Sequence, residues 1–299
     1  MNLATADIAA EHILSVQSEL GEGSIWEPVK QKLYWVDILG RIVHMYDPVT
    51  KEHTQLSTGE KVGTVVPMSS GNVLVALGNG IHEMDIETGD LKLVANPLKD
   101  IMGRFNDGKC DPAGRFWVGT IVPDGSEPTA VLFCLDRDKS IRQMLDGIAN
   151  SNGITWSLDK KTMYYIDTPT KKVQAFDYDN ETGNITNRRI AVQVPDGVGF
   201  PDGMTIDSEG KLWIALWGHG IVARFDPNSG EMLQRINVPA PHTSSCAFGG
   251  KDLKTLYITT AKENMSEESL KRYPLSGDLF AAVPGVAGVE ACFYKGNPV

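Results

Sequence analysis

The chain has 299 residues, of which 41% are hydrophobic and 22% charged, a balance that excludes a disordered chain and supplies a large core. A formal net charge of -10 excludes nucleic acid as a partner, because phosphate neutralisation needs Lys and Arg concentrated on one face. The short basic clusters, Thr170 to Lys172 and Asn187 to Arg189, read as solvated hairpin tips.

The first element in chain order is Glu11 to Gln17, "EHILSVQ", a strand with no repeat unit of its own. Nothing before it has a basic start and an apolar run of signal-peptide length. No later stretch approaches the roughly 18 apolar residues of a membrane span. Cys110, Cys134, Cys246 and Cys292 lack metal-site spacing and read as reduced thiols in strands or strand ends, so the expected location is cytoplasmic.

From Glu22 onward one unit recurs: a polar residue beside Gly or Ser, a short strand, a turn rich in Asp, Pro, Gly or Lys, then a β-rich strand. It is seen in "GEGSIWEPVKQKLYWVDI", "KVGTVVPMSSGNVLVALGNG", "NDGKCDPAGRFWVGTI", "NGITWSLDKKTMYYID", "PDGMTIDSEGKLWIAL" and "SSCAFGGKDLKTLYIT". The copies start near 22, 62, 106, 152, 202 and 245, at intervals of 40 to 50 residues. Third strands such as "GIHEMDIETG" and "GIVARFDPNSG" run into a D-x-x-x-G turn. Such a period, built from short strands with almost no amphipathic helical pattern, predicts an all-β chain. The expected fold is one six-bladed β-propeller of four-stranded blades over residues 1–299, carrying a central metal site. Strand 11–17 is expected to close the last blade, whose inner strands would end near Tyr294.

The innermost strand of each blade lines the channel, so one repeat offset converges at one depth. That offset carries Glu22, Asn106, Asn152 and Asp202, an all-oxygen set suited to a hard divalent cation such as Ca²⁺, Mg²⁺ or Mn²⁺, while carboxylate sites also accept Zn²⁺. Taken singly, each Asn-Gly or Asp-Gly is a common turn dipeptide. Arg104 lies two residues before Asn106 and shares its face of an extended strand, although a surface role beside an acid fits it as well. Asp107 alternates to the other face. His219, between Gly218 and Gly220, reads as a loop residue or a rim residue of the pocket. The six Trp, at 26, 35, 117, 156, 213 and 217, read as packing between blades. No G-x-S-x-G elbow or phosphate loop is present.

"RFNDGKCDPAGRFWVGT", "SNGITWSLDKKTMYYID", "PDGMTIDSEGKLWIA" and "TSSCAFGGKDLKTLYIT" closely resemble the gluconolactonase, regucalcin (senescence marker protein) and luciferin-regenerating enzyme family, over about Gly21 to Tyr294. The resemblance implies a six-bladed propeller, metal ligands at Glu22, Asn152 and Asp202, and substrate-binding residues at Arg104 and Asn106. Ser24 stands where the family often has Pro. The implied reaction is metal-dependent hydrolysis of an aldonolactone such as gluconolactone. One divalent ion (Ca²⁺, Zn²⁺, Mn²⁺ or Mg²⁺) would polarise the carbonyl, with Asp202 as general base on water and Glu22 as the second candidate base.

Other readings of the same site are hydrolysis of a different lactone or of a phosphotriester, and a non-catalytic calcium-binding, regucalcin-like role. A protein-binding scaffold propeller would leave the gathered carboxylates unexplained. The expected partner is a small sugar lactone, with no nucleic acid and no membrane, and the expected state is a monomer. The pocket is expected to be finished by the loops "TIVPDGSEPTA" and "VPDGVGFPDG".

Overall fold

The computed structural model of the chain describes residues 7–99, 103–122 and 128–296. Six antiparallel sheets follow one another along the chain. Their innermost strands are Gly21–Glu27, Val62–Pro67, Arg104–Cys110, Ser151–Trp156, Phe200–Ile206 and Thr243–Gly249, and they define blades I to VI. Each packs against the next, and the strand of blade VI packs against that of blade I, so the ring is closed. The molecule is a six-bladed β-propeller with four strands per blade, and each blade begins within two residues of a repeat start.

The sequence makes these strands for simple reasons. Innermost and second strands are covered on both faces; the second strands are mostly apolar, and Val73–Leu77 and Leu212–Trp217 are nearly all buried. Outermost strands face solvent on one side and alternate, as in His53–Ser57. Between third and fourth strands the Asp of the D-x-x-x-G pattern folds its carboxylate back onto the turn. Asp85 accepts from the N–H groups of Glu87 at 2.8 Å and Thr88 at 3.0 Å, and Asp179 does the same for Glu181 and Thr182.

Four of the six Trp are fully buried between blades. Trp117 and Trp213 also donate their indole N–H to Asp111 and Asp207, at 3.0 and 2.9 Å, in the matching stretches "DPAGRFW" and "DSEGKLW". The cysteines are free thiols, and Cys292 lies outside any strand.

The C-terminal end differs from expectation. Strand Glu11–Leu14 pairs antiparallel with Leu279–Ala282 as the outer strand of blade VI, and Ile8–Ala9 pairs parallel with Met232–Asn237 of blade V. Blade VI therefore ends at Ala282, not near Tyr294. Residues 283–296 instead run across one face of the ring, touching Asp207 through Gly288 and Met68 through Tyr294. Asn187 to Arg189 is not a hairpin tip but lies within strand Ile185–Gln193. Asn187 there adopts a left-handed φ of 52° beside a register shift, and Arg189 reaches Asp177 at 2.6 Å. Among the described residues no helix is long and apolar enough to cross a membrane.

Candidate metal and substrate site

Each innermost strand shifts register near its start: between Glu22 and Ile25, Val62 and Val65, Phe105 and Gly108, Ser151 and Ile154, Pro201 and Met204, and Thr243 and Ser245. A bulge of this kind re-aims a side chain, and six at one depth turn the repeat's polar offset inward. The following glycine has its own cause. A Cβ on Gly153 would stand 2.7 Å from the Asp202 carbonyl oxygen, and one on Gly203 would stand 2.8 Å from that of Ser244. Asn152-Gly153 and Asp202-Gly203 are thus not turns. They are places where neighbouring strands crowd at the ring's axis.

Glu22, Arg104, Asn106, Asn152 and Asp202 line one cavity of about 230 Å³. Asn106 is locked from several sides. Its Oδ1 accepts from the Arg104 guanidinium at 2.7 Å, and its Nδ2 donates to the Ser151 carbonyl at 2.8 Å, Asn150 Oδ1 at 3.1 Å and Asn152 Oδ1 at 3.2 Å. Asn152 Nδ2 donates to Thr168 Oγ1 at 2.8 Å, and that hydroxyl donates to the Pro201 carbonyl at 2.8 Å. Both amides therefore have fixed orientations, with the Asn152 oxygen on the side of Asn106 and its nitrogen on the side of Thr168.

The carboxylates are the unsatisfied part. Glu22 and Asp202 are about 95% buried, and Asp202 Oδ1 has no hydrogen-bond partner. Burial and the nearby Asp107 push Glu22 up to about 8, while burial and the facing Glu22 raise Asp202 well above the usual carboxylate range. Burial also pulls the Arg104 guanidinium down, against the carboxylates of Glu263, Glu22 and Asp202. Two buried acids side by side, one with an orphaned oxygen, are costly unless a proton or a cation lies between them. A cation satisfies this donor set of two carboxylates and an amide oxygen. Among the described residues no three His, Cys, Asp or Glu side chains converge, so any such site depends on the asparagine.

Asp107, on the other face of the strand, also bears on the site. It is buried, accepts from the Gly108 N–H at 2.7 Å, and adds negative potential at Glu22. His219 is exposed and does not line the cavity. Sequence reasoning missed Asn150, Thr168, Phe200 and Glu263 and misread Trp217, which lines the cavity half-buried and stacked on His242 at 4.2 Å. A signal existed for three of them. Thr168, Trp217 and Glu263 stand at or just past the ends of second strands, on the face where the innermost strands begin. Of the two pocket loops expected from sequence, "VPDGVGFPDG" supplies Phe200, and residues 123–127 of the other lie outside the described residues.

The chain resembles known proteins along nearly its whole length. "Regucalcin" of Danio rerio is 40% identical over 97% of this chain and 100% of that one. "Putative sugar lactone lactonase YvrE" of Bacillus subtilis is 38% identical over 93% and 96%. A luciferin-regenerating enzyme structure superposes with a TM-score of 0.88 at 31% identity, covering 96% of this chain and 99% of that one. A calcium-binding regucalcin structure from Agrobacterium tumefaciens superposes at 0.93 and 27% identity, covering 98% and 99%. Residues 20–262, which hold every blade's innermost strand and all of the cavity lining except Glu263, match the model of the "SMP-30/Gluconolactonase/LRE-like region", and the chain belongs to that family.

Proposed function

We propose that the protein hydrolyses a sugar lactone, an aldonolactone such as gluconolactone, to the open aldonic acid, with one divalent ion held by Glu22, Asn152 and Asp202. The observation that carries this reading is the buried, unpartnered Asp202 Oδ1 beside the Glu22 carboxyl and an oriented Asn152 oxygen. Family membership and the lactonase name of a 38% identical relative support the substrate class. A bound divalent ion supplies Lewis-acid polarisation of the ester carbonyl.

The chain's own groups do the rest. Asp202, held in a site that raises its proton affinity, takes a proton from the attacking water and returns it to the ring oxygen as the acyl C–O bond breaks. Arg104 has two N–H contacts fixed, to Asn106 Oδ1 and the Phe105 carbonyl. Its remaining donors point the way for sugar hydroxyls or the carbonyl. Asn106 spends its amide hydrogens on Asn150, Ser151 and Asn152, so it acts mainly by holding Arg104 and Asn152 in place.

The test is hydrolysis of glucono-, galactono-, xylono- and arabinono-lactones, followed by pH indicator, on metal-stripped protein with Ca²⁺, Zn²⁺, Mn²⁺ or Mg²⁺ restored singly. Metal-dependent turnover of at least one lactone is expected. Tight metal binding with no lactone turned over would reject lactone hydrolysis in favour of a calcium-binding role, and turnover of phosphotriesters alone would reject the substrate class.

A further inference from the structure

The innermost strands begin at the site just described and end at the opposite mouth of the channel, where a second cavity of about 220 Å³ opens. Its walls are Trp26, Trp156 and Phe248, from three different blades, with Leu158 exposed at the rim and the crossing tail residues Val289–Cys292 along one side. The tail is seated there by close packing, since a Cβ on Gly288 would stand 2.2 Å from the Phe248 side chain.

One cation enters this apolar space. Lys109 lies three residues beyond Asn106 on the same strand, yet it lines the second cavity while Asn106 lines the first. Its Nζ donates to the Met204 carbonyl at 2.7 Å, which leaves two of three ammonium donors unassigned. Lys109 forms no ion pair among the described residues; burial pulls its ammonium down from the usual lysine range, and Asp107, beyond ion-pair range, works against that. At the rim, exposed Lys160 and Glu290 offset each other. The attraction for an anion therefore comes from the floor, beneath aromatic walls.

We infer that this second mouth is a ligand site for a small amphipathic monocarboxylate, its carboxylate on Lys109 and its apolar body between Trp26, Trp156 and Phe248. A single ammonium matches a single negative charge, whereas a phosphate dianion would leave charge unbalanced in an apolar cavity. Aromatic walls with a few polar groups, here Lys109 and the hydroxyl residues Ser24, Thr155, Ser157 and Thr205, are the ordinary make-up of a small-molecule pocket. The site is independent of the lactonase reading, because it shares no lining residue with the first cavity.

The probes are hexanoate and 1-hexanol, titrated into the full chain with calorimetry and tryptophan fluorescence as readouts. Hexanoate is expected to bind at least tenfold more tightly than hexanol. Lys109→Met should abolish that preference, and Leu158→Glu, an exposed change that leaves packing intact, should weaken hexanoate at least fivefold by repulsion. Glu22→Gln should leave hexanoate binding unchanged. Equal binding of the two probes, no heat or fluorescence change with hexanoate, or unaltered hexanoate affinity in Leu158→Glu would each overturn the inference.

Discussion

Asp202 and Glu22 define the chemistry at the level of single residues. Asp202→Asn keeps shape and removes the proton acceptor, so turnover of a hydrolysed lactone should fall at least about a hundredfold while circular dichroism and Tm stay near wild type. Arg104→Ala removes donors that orient the substrate. It should raise KM severalfold with a smaller change in kcat, as steady-state kinetics on the same lactone would show. Glu22 makes a prediction about stability. The unfolded chain ionises it near 4.5, whereas the folded, metal-free protein holds the proton up to about 8. The native state thus binds more protons in that window, and stability, full below 4.5, declines as pH climbs toward 8. Thermal melts of chelated protein should show this decline, Glu22→Gln should flatten it, and added divalent ion should do the same by replacing the proton. The polar offset made Glu22, Asn106, Asn152 and Asp202 legible as one set, because equal positions in a repeat reach equal depth. Trp217 was misread because residue type alone does not separate packing between blades from lining a cavity; only its place at the end of a second strand marked it. Asn150 lies just outside the offset, and its role comes from the contact with Asn106, which only the fold creates.

Between elements, buried aspartates at the ends or edges of strands hold the connections that feed the site. Asp37 accepts from the N–H groups of Glu19, Leu20 and Gly40 at 2.8 to 3.0 Å, just before Glu22. Asp167 accepts from Ala149 at 3.2 Å and Asn150 at 3.0 Å, just before Asn152. Asp278 does the same for Val16 and Gln17. Asp167→Ala would strand two backbone donors. It should cost about 2–4 kcal/mol, measured by urea unfolding, and should lower metal affinity because the Asn150–Asn152 segment loosens. The six repeats were readable since each innermost strand is a short, bounded run with a polar-Gly start. The crossing tail was not. It makes isolated bridges to Met68 and Asp207 rather than a ladder, so no alternation marks it. Asn187 to Arg189 misled for a related reason, as a bulge puts turn-like residues inside a strand.

For the molecule as a whole, acid sensitivity and ring closure set the limits. His44 is buried in blade I, stacked on Trp35, with its Nδ1 3.0 Å from His53 Nε2. Burial, with His53 adding to it, lowers it from 6.5 to about 3. The unfolded chain therefore takes up a proton that the native state refuses, and stability is lost as pH falls from 6.5 toward 3. His44→Phe should shrink that acid-side loss in melts taken across the window. Ring closure rests on strand Glu11–Leu14, which covers the edge of Leu279–Ala282. A chain lacking the residues before Ser15 should melt at least about 5 °C lower and elute partly as aggregates from size exclusion, because a bare strand edge recruits other chains. Glu11 faces Ala281, 270 positions on, and this separation has a consequence for biosynthesis. At a ribosomal pace of about 5–20 residues per second, the clasp strand emerges roughly 14 to 54 s before its partner exists. Throughout that interval the nascent propeller is an open arc, free to pair with a neighbour on the same message, and the last step of maturation falls after the final blade has left the ribosome.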